Sequence, residues 1–267
     1  MLKPGLLLVV AIASIGAAPQ DDLSRARQFY NQRQYDAAID AATAALRAPR
    51  TADAATLVIA RARLERFRES ADATDLAAAR RELQQIHAEQ LAPSDRVELV
   101  IARGEALYLD DRAGAAAEEF AIALGRVDQK TPGTRERVLD WWASALDRQA
   151  HAGPESERRP LYARILDRMD GELRRDSASA VASYWLVAAA RGSGDLERAW
   201  DAAMAGWARA SSIGDRGAAL RVDLERIVSQ AIIPERARLT SAPGRSVAAV
   251  VAMRAEWDAL KRAWAAP

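Results

Sequence analysis

From residue 20 onward one pattern governs the sequence: apolar residues return every three or four positions, in runs of about 12 to 18 residues closed by Gly, Pro, Asp or Ser. This period belongs to helices, because the side chains of a strand alternate at every second residue. The apolar residues are mostly small: 62 of the 267 residues are Ala and 15 are aromatic. Alanine is the best helix former. It buries little area per residue, and it lets helix axes approach toward the short end of the usual range of about 8–10 Å. β-Branched residues are few and never alternate with polar ones over a strand's length. The period predicts helices over 22–33, 36–48, 53–68, 75–90, 95–109, 113–126, 134–149, 158–174, 178–191, 195–209, 216–231, 235–240 and 246–264. The expected class is all-α.

The predicted helices pair, with a polar turn inside each pair and a small residue near the start of the second helix. Val100–Ala123 is the clearest unit, with Gly104 and Leu107 in its first helix and Ala116, Phe120 and Ala123 in its second. This spacing resembles the tetratricopeptide pattern W-x2-L-G-x2-Y…A-x3-F. Gly104, Ala116 and Phe120 match, whereas Val100, Arg103 and Leu107 stand where Trp, Leu and Tyr are usual. The remaining units are looser. One surrounds the turn at Gln32–Tyr35, one Gly192–Asp195, one a stretched turn at Glu69–Thr74, and one a long turn at His151–Arg159. Their key small residues are Ala38, Ala79, Ala116, Ala163 and Ala199, spaced 41, 37, 47 and 36. A generic helical repeat would give a similar period. The resemblance implies an α-solenoid of stacked antiparallel helical hairpins over 21–240, each burying its apolar face on the next.

Two terminal segments differ from this array. Lys3, an apolar run from Gly5 to Ala18 and the small residues Gly16, Ala17 and Ala18 have the layout of a signal peptide over 1–18, cleaved near Ala17. As a helix the 14-residue run spans about 21 Å, short of the ~30 Å hydrocarbon core. The expectation is a periplasmic or secreted bacterial protein that meets a membrane only through this segment, should it stay uncleaved as an anchor. At the other end Ser241–Gly244 reads as a linker. In residues 245–267, Val250, Met253, Trp257, Leu260 and Trp264 form a heptad-like seam. The seam reads as a C-terminal capping helix; a seam for a partner is the alternative.

The chain has 38 Lys+Arg against 37 Asp+Glu, interleaved as on solvated helix faces. A nucleic-acid partner would call for a basic excess on one face. The absence of Cys excludes disulfides, thiolate metal sites and thiol catalysis. Of the two His, His87 follows the apolar stripe of Leu83 and Ile86 and reads as half-buried packing, and His151 stands alone in its turn. Gly192-Ser193-Gly194 lacks the Lys and the preceding strand of a phosphate loop. No catalytic set, metal site or cofactor is expected. The expected function is non-catalytic: a scaffold or adaptor that holds a protein or peptide. A structural subunit of an envelope assembly and an all-α enzyme are the other classes.

In tetratricopeptide-like arrays the first helix of each pair lines a concave face. Projection of the first helices places Arg27, Tyr30, Asn31, Glu105, Tyr108, Trp142, Tyr184 and Arg191 on that side. Aromatic and Arg residues are the types that dominate binding energy at interfaces. These eight are the candidate partner-binding residues.

Overall fold

A computed structural model describes residues 19–127, 132–240 and 245–264. The expected leader and the expected linker at Ser241–Gly244 lie outside them. Among the described residues the regular structure is entirely helical, and neighbouring helices pack in pairs. No described helix is long and apolar enough to cross a membrane. The chain divides into two compact units, residues 1–99 and 100–267.

The first unit holds α1 (Pro19–Asn31), α2 (Tyr35–Ala45), α3 (Pro49–Ser70), α4 (Ala73–Gln85) and the start of α5 (Pro93–Leu109). Its core is small-residue packing: Leu23 and Ala26 of α1 meet Ala41, Ala42 and Ala45 of α2 and Ala55, Val58 and Ile59 of α3. α3 and α5 each begin at Pro, as do α1 and α7 below. Proline suits the first helical position, where its φ is already helical and the missing N–H has no acceptor to lose. The predicted starts at 22, 53, 95 and 134 fall a few residues late because those prolines read as breaks.

The second unit continues with α6 (Ala113–Arg126), α7 (Pro132–Ala152), α8 (Glu155–Arg175), α9 (Ala180–Gly192), α10 (Leu196–Ala210), α11 (Asp215–Ile227), α12 (Ile233–Thr240) and α13 (Ser246–Ala263). Residues 228–232 form a π-helical turn joining α11 to α12. The predicted break before Pro234 is thus a continuous helical path. Widening one turn just ahead of a proline makes room for its ring and for the carbonyls it cannot bond.

Three turns share one geometry. Arg33, Asp111 and Gly194 adopt left-handed φ of 59°, 56° and 85°. The next N–H in each case bonds the carbonyl five residues back: Gln34 to Phe29 at 2.9 Å, Arg112 to Leu107 at 2.9 Å, Asp195 to Ala190 at 3.0 Å. Five residues after each left-handed residue stands a fully buried alanine, Ala38, Ala116 or Ala199. Ala71 closes α3 in the same backbone region, so the connection to α4 is two residues long, not the stretched turn expected at Glu69–Thr74. The long turn expected at His151–Arg159 is likewise only Gly153-Pro154.

The close approaches are where Gly and Ala sit. A Cβ added at Gly104 would stand 2.7 Å from Phe120 Cε1, so α5 and α6 touch at the crossing the sequence indicated. Ala79 is fully buried as expected, but Ala163 is exposed. The phase of α8 is one residue off the expected one: the preceding residue, Tyr162, faces inward and covers Gly192, where any Cβ would enter the phenol ring. His87 is also a correction. α4 ends at Gln85 and Ile86 is extended, so the helical stripe stops and the His87 imidazole is exposed.

Two polar clusters tie unit 2 together. Glu172 of α8 receives Arg135 of α7 at 2.6 and 3.1 Å and is flanked by Arg168 and Arg175. Burial pushes the Glu172 carboxyl up, but the Arg135 hydrogen bonds and the three cations outweigh it and hold the carboxyl below its ordinary value of 4.5. At the C-terminus, Trp257 of α13 is buried with ring centroids 5.9 Å from Trp200 and 5.3 Å from Trp207 of α10. Its indole N–H donates to Glu225 of α11 at 2.9 Å, and Lys261 reaches the same carboxylate at 2.8 Å. The middle of the C-terminal seam therefore faces α10 and α11.

Candidate functional site

Tyr30, Tyr108 and Arg191 occupy equivalent places, each three residues before the left-handed residue of a turn. Each is engaged by a later helix. The Arg61 guanidinium of α3 lies 4.5 Å over the Tyr30 ring, and that of Arg148 of α7 lies 4.0 Å over the Tyr108 ring. Arg191 forms a two-pronged pair with Glu235 of α12, at 2.6 and 3.0 Å. The Glu235 hydrogen bond raises the Arg191 pKa against the opposing effect of burial. These three positions fasten one helix couple to a following helix.

The other candidates are dispersed. Arg27 donates to Asp95 at 2.8 Å, and Asn31 is exposed at the end of α1. Glu105 and Trp142 are buried, with 7% and 5% of their surface exposed. The Trp142 indole N–H has no hydrogen-bond partner among the described residues, and Arg168 lies 5.8 Å from its ring. Its neighbour Trp141 packs edge-on against Tyr108 at 4.8 Å and beside Phe120. Tyr184 borders an open cavity, and Arg191 lines a second one at its turn.

The cavity at Tyr184 is a cleft of about 570 Å³ bounded by α7, α9 and α11, helices that alternate along the chain. α7 contributes Glu136, Asp140 and Ser144, a polar stripe at spacing four that faces one way on the helix. α9 contributes Ala180, Val181, Tyr184 and Trp185; Ser179 caps its start by accepting the Ala182 N–H at 3.2 Å. Arg216, Leu220 and Asp223 come from α11. The wall is built by pairs from distant parts of the chain. Trp185 donates its indole N–H to Asp140 Oδ1 at 2.8 Å, and Arg216 forms an ion pair with Glu136. The second Glu136 oxygen is buried and has no hydrogen-bond partner among the described residues. Burial, then the Asp223 and other nearby carboxylates, raise the Tyr184 pKa, so this phenol stays a protonated donor at neutral pH. Sequence reasoning misses Asp140, Trp185, Glu136, Arg216 and Asp223. The four-residue stripe on α7 is the readable signal; its partners lie 45 and 80 residues away.

The cleft volume falls within the roughly 300–1,000 Å³ of ordinary ligand sites. Its lining supplies an aromatic surface, one phenol and one alcohol, three carboxylates and one guanidinium. Ser144 is the alcohol of this lining, and no His stands beside it there. A second, more polar cleft of about 540 Å³ lies at the Gly192–Gly194 turn, lined by Glu155, Arg158, Arg159 and the Glu235-paired Arg191. Among the described residues no group of three or more His, Asp or Glu could hold a metal ion. Compared with protein-family models, curated proteins and solved structures, the chain matches none.

Proposed function

We propose that this chain is a non-catalytic, tetratricopeptide-like binding module of the bacterial envelope, exported by its first 18 residues, that holds an extended protein segment along the α7–α9–α11 cleft. The supporting observation is that the cleft is lined by alternate helices, as the inner face of a stacked helical array would be, and carries Tyr184 and Trp185 beside polar groups. The three equivalent turns at Arg33, Asp111 and Gly194 support a repeating architecture. Tyrosine and tryptophan provide large contact area at low entropic cost and dominate many interfaces.

The reading as a structural subunit assembled through α13 has less support. Trp257, the largest inward residue of that seam, is already covered by Trp200 and Trp207. An all-α enzyme stands third, because the cleft lining holds neither His nor Cys.

The test is a photo-crosslinking amino acid placed at Tyr184 in cells, with the same residue at exposed Val222 of α11 as control. A discrete protein adduct at 184 and none at 222 is expected. Equal labelling at both positions, or none at 184, would refute the cleft as the binding surface.

A further inference from the structure

The charge of the cleft bears on what it holds. Glu136, Asp140 and Asp223 face Arg216, three carboxylates against one guanidinium. Arg216 is committed to Glu136, which still has one buried oxygen without a donor among the described residues. Asp140 has one oxygen engaged by the neutral Trp185 indole, so its full negative charge is left uncompensated by that bond. Asp223 does have a cationic partner, Arg226, three residues on along α11 at 3.1 Å. Both members of that pair are about half exposed, Arg226 at 62% and Asp223 at 45%. Exposed pairs of this kind contribute little and exchange readily with another cation. The cleft thus offers two carboxylates, Asp140 and Asp223, to an incoming cation, on either side of the α9 helix that presents Tyr184. The Tyr184 ring gives such a cation an aromatic face, and the Tyr184 and Ser144 hydroxyls add neutral hydrogen-bonding groups.

We propose that the occupant of the α7–α9–α11 cleft is an extended segment bearing Arg or Lys side chains, whose cationic heads meet Asp140 and Asp223 and whose stems lie on Tyr184. This rests on the binding role proposed above and adds the chemistry of the partner. A uniformly acidic segment would bring its charge against three carboxylates, and like charges in a partly desolvated groove are repelled.

The test measures fluorescence anisotropy of three labelled nonapeptides on the full chain, one alternating Arg with Ala, one Glu with Ala and one Ser with Ala. The Arg peptide is expected to bind tightest, and to weaken as salt is raised because exposed charges are screened. Asp140→Asn and Asp223→Asn should each weaken it about three- to fivefold. Tyr184→Ala should weaken it at least about fivefold. Asp140→Asn keeps an acceptor for the Trp185 indole, and unchanged far-UV circular dichroism would show that the fold survives. Tighter binding of the Glu or Ser peptide with the same Tyr184 dependence overturns the cationic occupant and leaves the cleft as a binding surface. Binding of the Arg peptide that ignores all three substitutions overturns the proposal as well, and binding of no peptide overturns it together with the role on which it rests.

Discussion

Replacing Gly104 with alanine sets two effects of known sign against each other. Glycine in a helix interior costs about 1 kcal/mol relative to alanine, so the exchange stabilises α5 by up to about that amount. Opposing this, the new Cβ would stand 2.7, 2.8 and 3.1 Å from Cε1, Cδ1 and Cζ of Phe120. Comfortable carbon contacts lie at about 3.5–4.0 Å, so one partner must yield by several tenths of an ångström. Phe120 has little freedom to do so: it is fully buried and its ring lies beside Trp141. Overpacking of this kind costs about 1–3 kcal/mol. Gly171 isolates the first effect, because the nearest atom to its added Cβ is the end of Arg174, 3.9 Å away. Gly171→Ala should therefore stabilise α8 by about 0.5–1 kcal/mol. The two variants then differ by the overpacking alone, about 1–3 kcal/mol, which for a domain of this size is about 2–12 °C in Tm. Scanning calorimetry of the two variants and of the parent measures it directly. Shortening the ring with Phe120→Leu in the Gly104→Ala background should recover part of the loss, giving a favourable coupling in the double-mutant cycle. Gly104→Ala melting as high as Gly171→Ala, with no coupling to Phe120, would show that α5 and α6 do not cross there.

Two further outcomes test the polar and aromatic anchors of unit 2. Glu172→Ala strands Arg135, whose side chain is 13% exposed, and should cost about 3–5 kcal/mol by urea denaturation. The parent should also lose stability in acid: the folded carboxyl titrates below 4.5, so its contribution is complete above that value and is lost as pH falls through the lowered pKa. An acid limb unaffected by Glu172→Gln would refute this. Trp257→Ala removes the ring between Trp200 and Trp207 and leaves Glu225 without the indole donor. A loss of about 3–5 kcal/mol is expected, with near-UV dichroism changed; a change in oligomer size at unaltered stability would instead place α13 at a subunit interface.

Several features are legible in the chain itself because they are local. Helical spacing, alanine content and the scarcity of β-branched runs are properties of short windows, and each α-helix lies close to where they point. The Gly104–Phe120 contact is legible for a related reason, since only a residue with no side chain fits so close a crossing. The misleading signals are equally physical. Proline can stop a helix or start one, and at Pro49 and Pro93 it starts one. A one-residue error of phase places Ala163 inside, while the structure turns Tyr162 inward. At about 100° per residue, such an error moves a side chain to a different face.

The all-helical character and the tendency of these helices to pair through small residues are decided by the sequence alone, because helix propensity and amphipathic spacing act within a few turns. The cleft is decided by tertiary structure. Asp140 and Trp185 are 45 residues apart and Glu136 and Arg216 are 80 apart. The polar stripe on α7 marks the face that turns to the cleft, but which residues of α9 and α11 meet it depends on how the three helices pack on one another, and no single stretch of chain specifies that.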